Sequence, residues 1–376
     1  LKTYFYSKST HKTLKSIVIS TKKKKNCLHT IIHYLKRRMR RYDYSLNHKL
    51  LKKSMKALVL VAKDQPLSYQ SVEKPVAGAG EVIVKLHAAA LNHRDVWISK
   101  GQYAGLKYPT ILGSDGAGAT EDGRDVLVHP NMNWGNDPRF QGKTHQILGL
   151  PTDGTFAEYV KVGAEYVSPK PAHLTFEQAA ALPLAGLTAY RALFSRCQAQ
   201  VGERVLISGI GGGVALYAMQ FALAQGCEVW VTSSSETKIQ KAVEMGAKGG
   251  VNYKTENWSK AFMAKTGGFD VIIDSAAGSG FGELVKVCNS GARICFFGGT
   301  AGPISGVSPQ IVFFKQLTIM GSTMGSPIEF EAMVRFVEKH KIVPVIDAVY
   351  PLSEGNAACE RMDKGQQFGK IVLKIN

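Results

Sequence analysis

Three things are missing from this 376-residue chain, and each excludes a class of protein. No apolar run approaches the roughly 18–20 residues of a membrane-spanning helix. The six cysteines, Cys27, Cys197, Cys227, Cys288, Cys295 and Cys359, contain no CxxC pair and no zinc-type spacing, which predicts free thiols in a reducing compartment. The first 54 residues contain no Gly, no Pro and one acid, Asp43, against 16 Lys and Arg.

That leader explains the formal charge of +18, because it carries +15 and the rest of the chain only +3. A nearly neutral remainder argues against a dedicated nucleic-acid surface, which needs clustered basic charge. Lys22–Lys25, Lys36-Arg37-Arg38 and Arg40-Arg41 leave three readings of residues 1–54. They read as translated upstream sequence with Met55 the true start, as a basic, acid-poor mitochondrial presequence, or as a nucleic-acid tail. The first is preferred, because the chain opens on Leu1 and a strand-like run, MKALVLV, begins at Met55. No secretory signal is evident, since SIVIS is short and a Lys run follows it. The expected compartment is therefore cytoplasmic, or mitochondrial if the leader is a true presequence.

What is present is an α/β pattern in two textures. Residues 55–175 read as short strands, among them EVIVKLHAAAL and DVLVHP, separated by Gly-, Pro- and Asp-rich turns. From 176 to 325 strands and helices alternate. LTFEQAAALPLAGLTAYRALF is helical in composition, with Thr175 as a cap. RVLISGI, CEVWVTSS, FDVIIDSA and ARICFFGG are apolar strands. The helices GVALYAMQFALAQ and ETKIQKAVEM are closed by Gly226 and Gly246. Such alternation predicts a doubly wound parallel sheet with both faces covered. Residues 326–376, with VPVIDAVY and GKIVLKI, are expected to return to the first domain.

The strand VLIS runs into Gly209-Ile210-Gly211-Gly212-Gly213-Val214-Ala215 and then into a helix. A Gly-rich turn alone is weak evidence; between a strand and a helix of a βαβ unit it marks a dinucleotide site. Glycines let the backbone approach the pyrophosphate, and the helix N-terminus offers it N–H groups. The next strand ends in Thr232-Ser233-Ser234-Ser235 with Lys238 following, instead of the acid that bonds a ribose 2′-hydroxyl. Hydroxyls and a cation suit a 2′-phosphate, so NADPH is the expected cofactor. Glu236 is read as a favourable first-turn charge.

AAALNHRD, ILGSDGAG, DGTFAEYV, LPLAGLTAYRAL, the GIGGGVA loop, NYK, FDVIIDSA, FFG and FGKIVL together resemble the medium-chain dehydrogenase/reductase superfamily, in particular its zinc-free quinone-oxidoreductase-like branch, over residues 55–376. The resemblance implies a GroES-like catalytic domain, a Rossmann domain, an active site between them and a homodimer. It places Asn92 at the nicotinamide end of the cleft, Tyr103 in the substrate pocket and Thr188 near the nicotinamide. It implies a pyrophosphate loop of Gly211, Gly212, Gly213, Val214 and Ala215, and a 2′-phosphate pocket of Ser233, Lys238 and Tyr253. Ser275, Ala276, Phe297 and Gly298 match loops at strand ends, and Phe314 and Ser322 the segment closing over the nicotinamide. Zinc-dependent members carry a Cys near Asn92, a His at Ser114 and a Cys-rich lobe where this chain has NMNWGNDPRFQGKTHQILGL. On that ligand inventory no metal is expected, and His93, His129 and His145 read as structural or surface residues.

The expected activity is hydride transfer from NADPH to a quinone or an activated alkene or carbonyl. Tyr103 would serve as hydrogen-bond or proton donor, and Asn92 would orient the ring or polarise an oxygen. Two other readings stand beside it: a zinc-type alcohol dehydrogenase-like activity, and a non-catalytic nucleotide- or RNA-binding relative.

Overall fold

The computed structural model describes residues 54–375, so the readings of residues 1–53 lie outside the described residues. The β-rich part opens with β1 (Ser54–Leu60), β2 (Ser68–Glu73), the long β3 (Glu81–Ala90), β4 (Thr110–Ile111), β5 (Asp115–Thr120) and β6 (Asp125–Val128). It continues through β7 (Asn131–Met132), β8 (Gln146–Ile147), β9 (Tyr159–Gly163) and β10 (Val167–Pro169). One α-helix interrupts it, His93–Ser99, which the strand-and-turn reading missed. Its signal was in the sequence: Asn92 and Asp95 form a capping box around its N-terminus.

The alternating strands–helices segment forms a parallel sheet. Its strands are β11 (Arg204–Ile207), β12 (Glu228–Ser233), β13 (Gly249–Asn252), β14 (Phe269–Asp274), β15 (Cys288–Phe296) and β16 (Thr318–Gly321). They lie in the order β13-β12-β11-β14-β15-β16, so the order reverses between β11 and β14. Such a switch point leaves a crevice beyond the carboxyl ends of the strands. The helix expected from LTFEQAAALPLAGLTAYRALF is broken by Pro183 into Phe176–Ala181 and Pro183–Tyr190, and Arg191–Arg196 continues it with π-helical bonding. Thr175 caps the first piece by accepting from the Gln178 N–H.

The chain then returns. Strands β17 (Ile346–Pro351) and β18 (Lys370–Lys374) join the sheet of the β-rich part, whose order is β10-β6-β5-β3-β18-β17 with β9 also paired to β3. The return starts later than residue 326: helix Pro327–His340 sends Phe330, Met333 and Val337 into the apolar cluster that holds Leu187 and Phe221 of the nucleotide half. Register then does the work of building a site. β3 pairs Ala90 with Asp115 on one side and with Val372 on the other. Lys370, two positions before Val372, is thereby carried past the end of β3 to Asn92.

The segment at the position of the Cys-rich lobe is held by other means. Arg191 donates to the carbonyls of Pro138 (2.9 Å) and Arg139 (2.6 Å) and to both carboxylate oxygens of Glu329. Its guanidinium also lies 5.0 Å from the Trp134 ring. Beside it His145 contacts Asn131, whose amide donates to the Gly325 carbonyl.

His129 packs its ring 4.1 Å from that of Phe330, and its Nδ1 accepts the Asn131 N–H at 3.1 Å. The proton therefore sits on Nε2, and burial pulls the imidazole down to about 3. A histidine kept neutral when folded takes up its proton on unfolding, so stability present above pH about 6.5 falls as the pH drops towards the folded value. The expected loss from this group is about 2 kcal/mol at pH 5. Urea unfolding of wild type and His129→Phe at pH 7.5 and 5 measures it; an equal pH loss in both proteins would remove the assignment.

Candidate active site

Where β11 gives way to helix Gly213–Gln225, the backbone turns with Gly209 at φ +71° and Gly211 at φ +133°, conformations that suit glycine. Gly212 is the N-cap and has no side chain to satisfy the first-turn N–H groups. Thirteen residues of aligned helix thus present unsatisfied donors and partial positive charge to the crevice. The glycines also make room for two lysine stems. A Cβ on Gly211 would stand 2.8 Å from Lys238 Cδ, and one on Gly213 would stand 2.7 Å from Lys370 Cδ. A Cβ on Gly212 would meet nothing within 4 Å.

A cleft of about 460 Å³ runs along this loop. Of the residues anticipated from sequence, Asn92, Tyr103, Thr188, Gly211, Gly212, Gly213, Val214, Ala215, Ser233, Lys238, Tyr253, Ser275, Phe297 and Gly298 all line it. Three do not. Ala276 is turned into the loop after β14, where its N–H donates to Asp274. Phe314 is 77% exposed at the end of helix Pro309–Phe314 and does not line the cleft, whereas Met324 does. Ser322 stays hydrogen-bonded through its N–H to the Phe296 carbonyl, and Thr323 is the residue that faces the cleft.

At the end of the cleft beside β12 and β13, Ser233, Ser234, Lys238 and Tyr253 line the wall together. Lys238 rests its ammonium on the Gly365 carbonyl at 3.1 Å, and burial holds it below the usual lysine range. Glu236 begins helix Glu236–Glu244 and accepts from Asn252 Nδ2, and the carboxylate whose charge acts on Lys238 is Asp347.

At the other end lies a buried polar network that the sequence reading did not assemble. Lys370 Nζ donates to the Leu91 carbonyl (2.7 Å), Asn92 Oδ1 (2.7 Å) and Asp115 Oδ2 (2.9 Å). Asn92 Nδ2 donates to Asp115 Oδ2 at 2.9 Å, and the Leu184 N–H donates to Asp115 Oδ1 at 2.8 Å. Lys370 and Asp115 are 4% and 0% exposed at their side chains, so this is a desolvated ion pair. Its consequence is orientational. An ammonium fixes which end of the Asn92 amide is oxygen, and a carboxylate fixes which end is nitrogen. The second Nδ2 hydrogen is left for the cleft. The Asn92 backbone N–H is itself bound to Asp95 at 2.8 Å. Burial pushes the Asp95 carboxyl up to about 6, against the pull of Arg94.

Ser114 stands where zinc-dependent members carry a His. Its hydroxyl donates to the Leu148 carbonyl and accepts from Arg94, both at 2.7 Å. The Arg94 guanidinium lies 5.2 Å from the centre of the Tyr103 ring, the residue anticipated as proton donor. Two cations, Arg94 and Lys370, are built into the place where a divalent ion would need anionic or neutral ligands, and among the described residues no three His, Cys, Asp or Glu side chains group as a metal site. The donor set does not fit zinc. It does fit a dinucleotide, with an uncapped helix N-terminus, an open face at Gly212 and the Lys238 ammonium beside the loop.

Residues 78–172 match the model for the alcohol dehydrogenase GroES-like domain, and residues 213–339 that for zinc-binding dehydrogenase. The zinc-type alcohol dehydrogenase-like protein YogA of Leptosphaeria maculans is 35% identical over 82% of this chain and 95% of its own. The chain belongs to the medium-chain dehydrogenase/reductase superfamily. A quinone oxidoreductase of Mus musculus is 30% identical over 80% of this chain and 91% of its own. The crystal structure of an NAD-dependent alcohol dehydrogenase superposes with a TM-score of 0.81 at 34% identity, covering 86% of this chain and all of that one. The chain is thus a nicotinamide-binding oxidoreductase of this superfamily with a GroES-like domain and a Rossmann sheet. Its relatives divide between alcohol dehydrogenase-like and quinone reductase-like proteins, and the higher identity lies with the former, where the sequence patterns had pointed to the latter. Among the described residues no helix is long and apolar enough to cross a membrane.

Proposed function

We propose that this protein is an NADPH-dependent reductase of quinones or of activated alkenes and carbonyls, working without a catalytic metal. The observation that carries the reading is the pair of cations, Arg94 and Lys370, built around Ser114 and Asn92 at one end of a cleft whose other end is a dinucleotide loop. Bound reduced nicotinamide supplies hydride. The protein's own groups then meet the negative charge that develops on a substrate oxygen. Asn92, locked by Lys370 and Asp115, points an N–H at the cleft without reorganising, which is what makes a fixed dipole effective. Tyr103 carries the phenol that returns a proton. A quinone product needs less help, because its hydroxyls are relatively acidic, so the anion left by hydride transfer is stable enough to be protonated by solvent. Tyr103→Phe is therefore expected to slow enone reduction about tenfold or more while leaving quinone reduction nearly unchanged. Equal, negligible effects on both would remove the acid role.

Lys238, Ser233 and Tyr253 support NADPH over NADH. Lys238→Ala is expected to weaken NADPH binding about tenfold, the worth of one charge-assisted hydrogen bond, and to leave NADH binding unchanged. Equal losses for the two cofactors in a fluorescence titration would contradict the assignment.

A second reading, oxidation of an alcohol, is favoured by the 35% identity to a protein named zinc-type alcohol dehydrogenase-like. One experiment separates them. Protein beginning at Met55 is given NADPH or NADH with 1,2-quinones and enones, and NADP⁺ or NAD⁺ with alcohols, with and without added zinc. Zinc-dependent alcohol turnover in place of NADPH consumption would replace the first reading with the second.

A further inference from the structure

The chain between helix Gly355–Asp363 and β18 crosses the mouth of the dinucleotide loop. Gly365 accepts from Lys238 Nζ, and the Gly369 N–H donates to the Gly211 carbonyl at 3.0 Å. Between those two anchors sits Gln367. It lines the cleft, is only 4% exposed, and among the described residues its Oε1 is buried without a hydrogen-bond partner. A buried amide atom with no partner costs stability, so its place needs a reason. Interchanging the amide oxygen and nitrogen changes nothing, since an N–H is then the orphan.

We propose that Gln367 is a further cofactor-binding residue, whose carboxamide hydrogen-bonds a ribose hydroxyl of the bound dinucleotide beside the pyrophosphate. A hydroxyl both donates and accepts, so it satisfies the amide in either orientation; a phosphate oxygen only accepts. The position agrees. Gly211, bonded to Gly369 two residues further on, belongs to the pyrophosphate loop, and the riboses flank the pyrophosphate. The inference rests on the dinucleotide reading of the cleft and adds a third wall to it, made by the C-terminal return.

The proposal has an unusual signature, because removing the amide affects the free and bound protein in opposite senses. Gln367→Met, with Gln367→Leu as a second variant, takes away an orphaned polar atom. The melting temperature of the free variant is expected to equal or exceed that of wild type. Its Kd for NADPH is expected to rise about three- to tenfold, the worth of one neutral hydrogen bond. The same factor is expected for NADH, because the ribose is common to both, whereas Lys238→Ala affects NADPH alone. Titration of the full-length proteins by fluorescence, with thermal melts of each alone, reads all of this. Unchanged Kd values in both variants overturn the proposal, as does a loss confined to NADPH, or a fall of several degrees in the melting temperature of both free variants, which marks a structural amide. If wild type binds neither NADPH nor NADH, it is the dinucleotide reading itself that fails.

Discussion

Replacing Lys370 by methionine is expected to lower the free energy of unfolding by about 3–5 kcal/mol, the cost of stranding a buried charge. Lys370 is the only cation within salt-bridge distance of Asp115 among the described residues, and the carboxylate is fully buried. Without the ammonium, Asp115 keeps only Asn92 Nδ2 and the Leu184 N–H as side-chain partners. Asn92 loses the donor that fixes its oxygen, and its amide becomes free to turn over. Removing the carboxylate's charge as well, in Lys370→Met/Asp115→Asn, is expected to recover more than half of the loss, because the penalty belongs to the unpaired charge and not to the pair. Hydride transfer is not expected to recover with stability, since Asn92 stays unlocked. Urea unfolding of the two single variants and the double variant decides it. A single-variant loss below about 1 kcal/mol would show that water reaches Asp115.

That pair also shows where sequence reading stops. The glycine loop was legible because it lies in a local pattern with a local cause, a strand–turn–helix, whereas Asn92 and Tyr103 were reached only through the family resemblance. The parallel strands were legible because burial on both faces makes them uninterrupted apolar runs, as in Phe269–Asp274. Lys370 carried no such mark. It stands 255 positions from Asp115, and only the register of β3, β5 and β18 brings the two together. The sole local hint was a lysine opening a strand, Lys370–Lys374, whose first four residues are buried. Arg191 is a similar case, 138 positions from Glu329 and read from sequence as part of an ordinary helix. Phe314, placed by the resemblance, does not line the cleft here. An aromatic at the end of a short helix packs into a cleft or faces solvent according to tertiary placement, and composition does not distinguish the two.

Gly212→Asp is expected to separate folding from cofactor binding more widely than any other change in the loop. Gly212 has φ −77° and ψ 157°, the geometry of an N-cap, and a Cβ there points into open space. Aspartate is among the preferred N-cap residues, and its charge favours a helix N-terminus, so the free protein is expected to be as stable as wild type or more so by up to about 1 kcal/mol. The same carboxylate would occupy the face that the pyrophosphate needs. A like charge about 5 Å away, in the partly screened setting of a cleft, costs about 3 kcal/mol, or a hundredfold or more in Kd. Gly213→Ala supplies the contrast, since its Cβ would stand 2.7 Å from Lys370 Cδ and disturb the protein before any ligand arrives. Its melting temperature is expected to fall, while that of Gly212→Asp does not. Calorimetric titration with NADPH, paired with thermal melts, measures both effects. Wild-type affinity in Gly212→Asp would place the pyrophosphate away from this loop and overturn the assignment of the cleft.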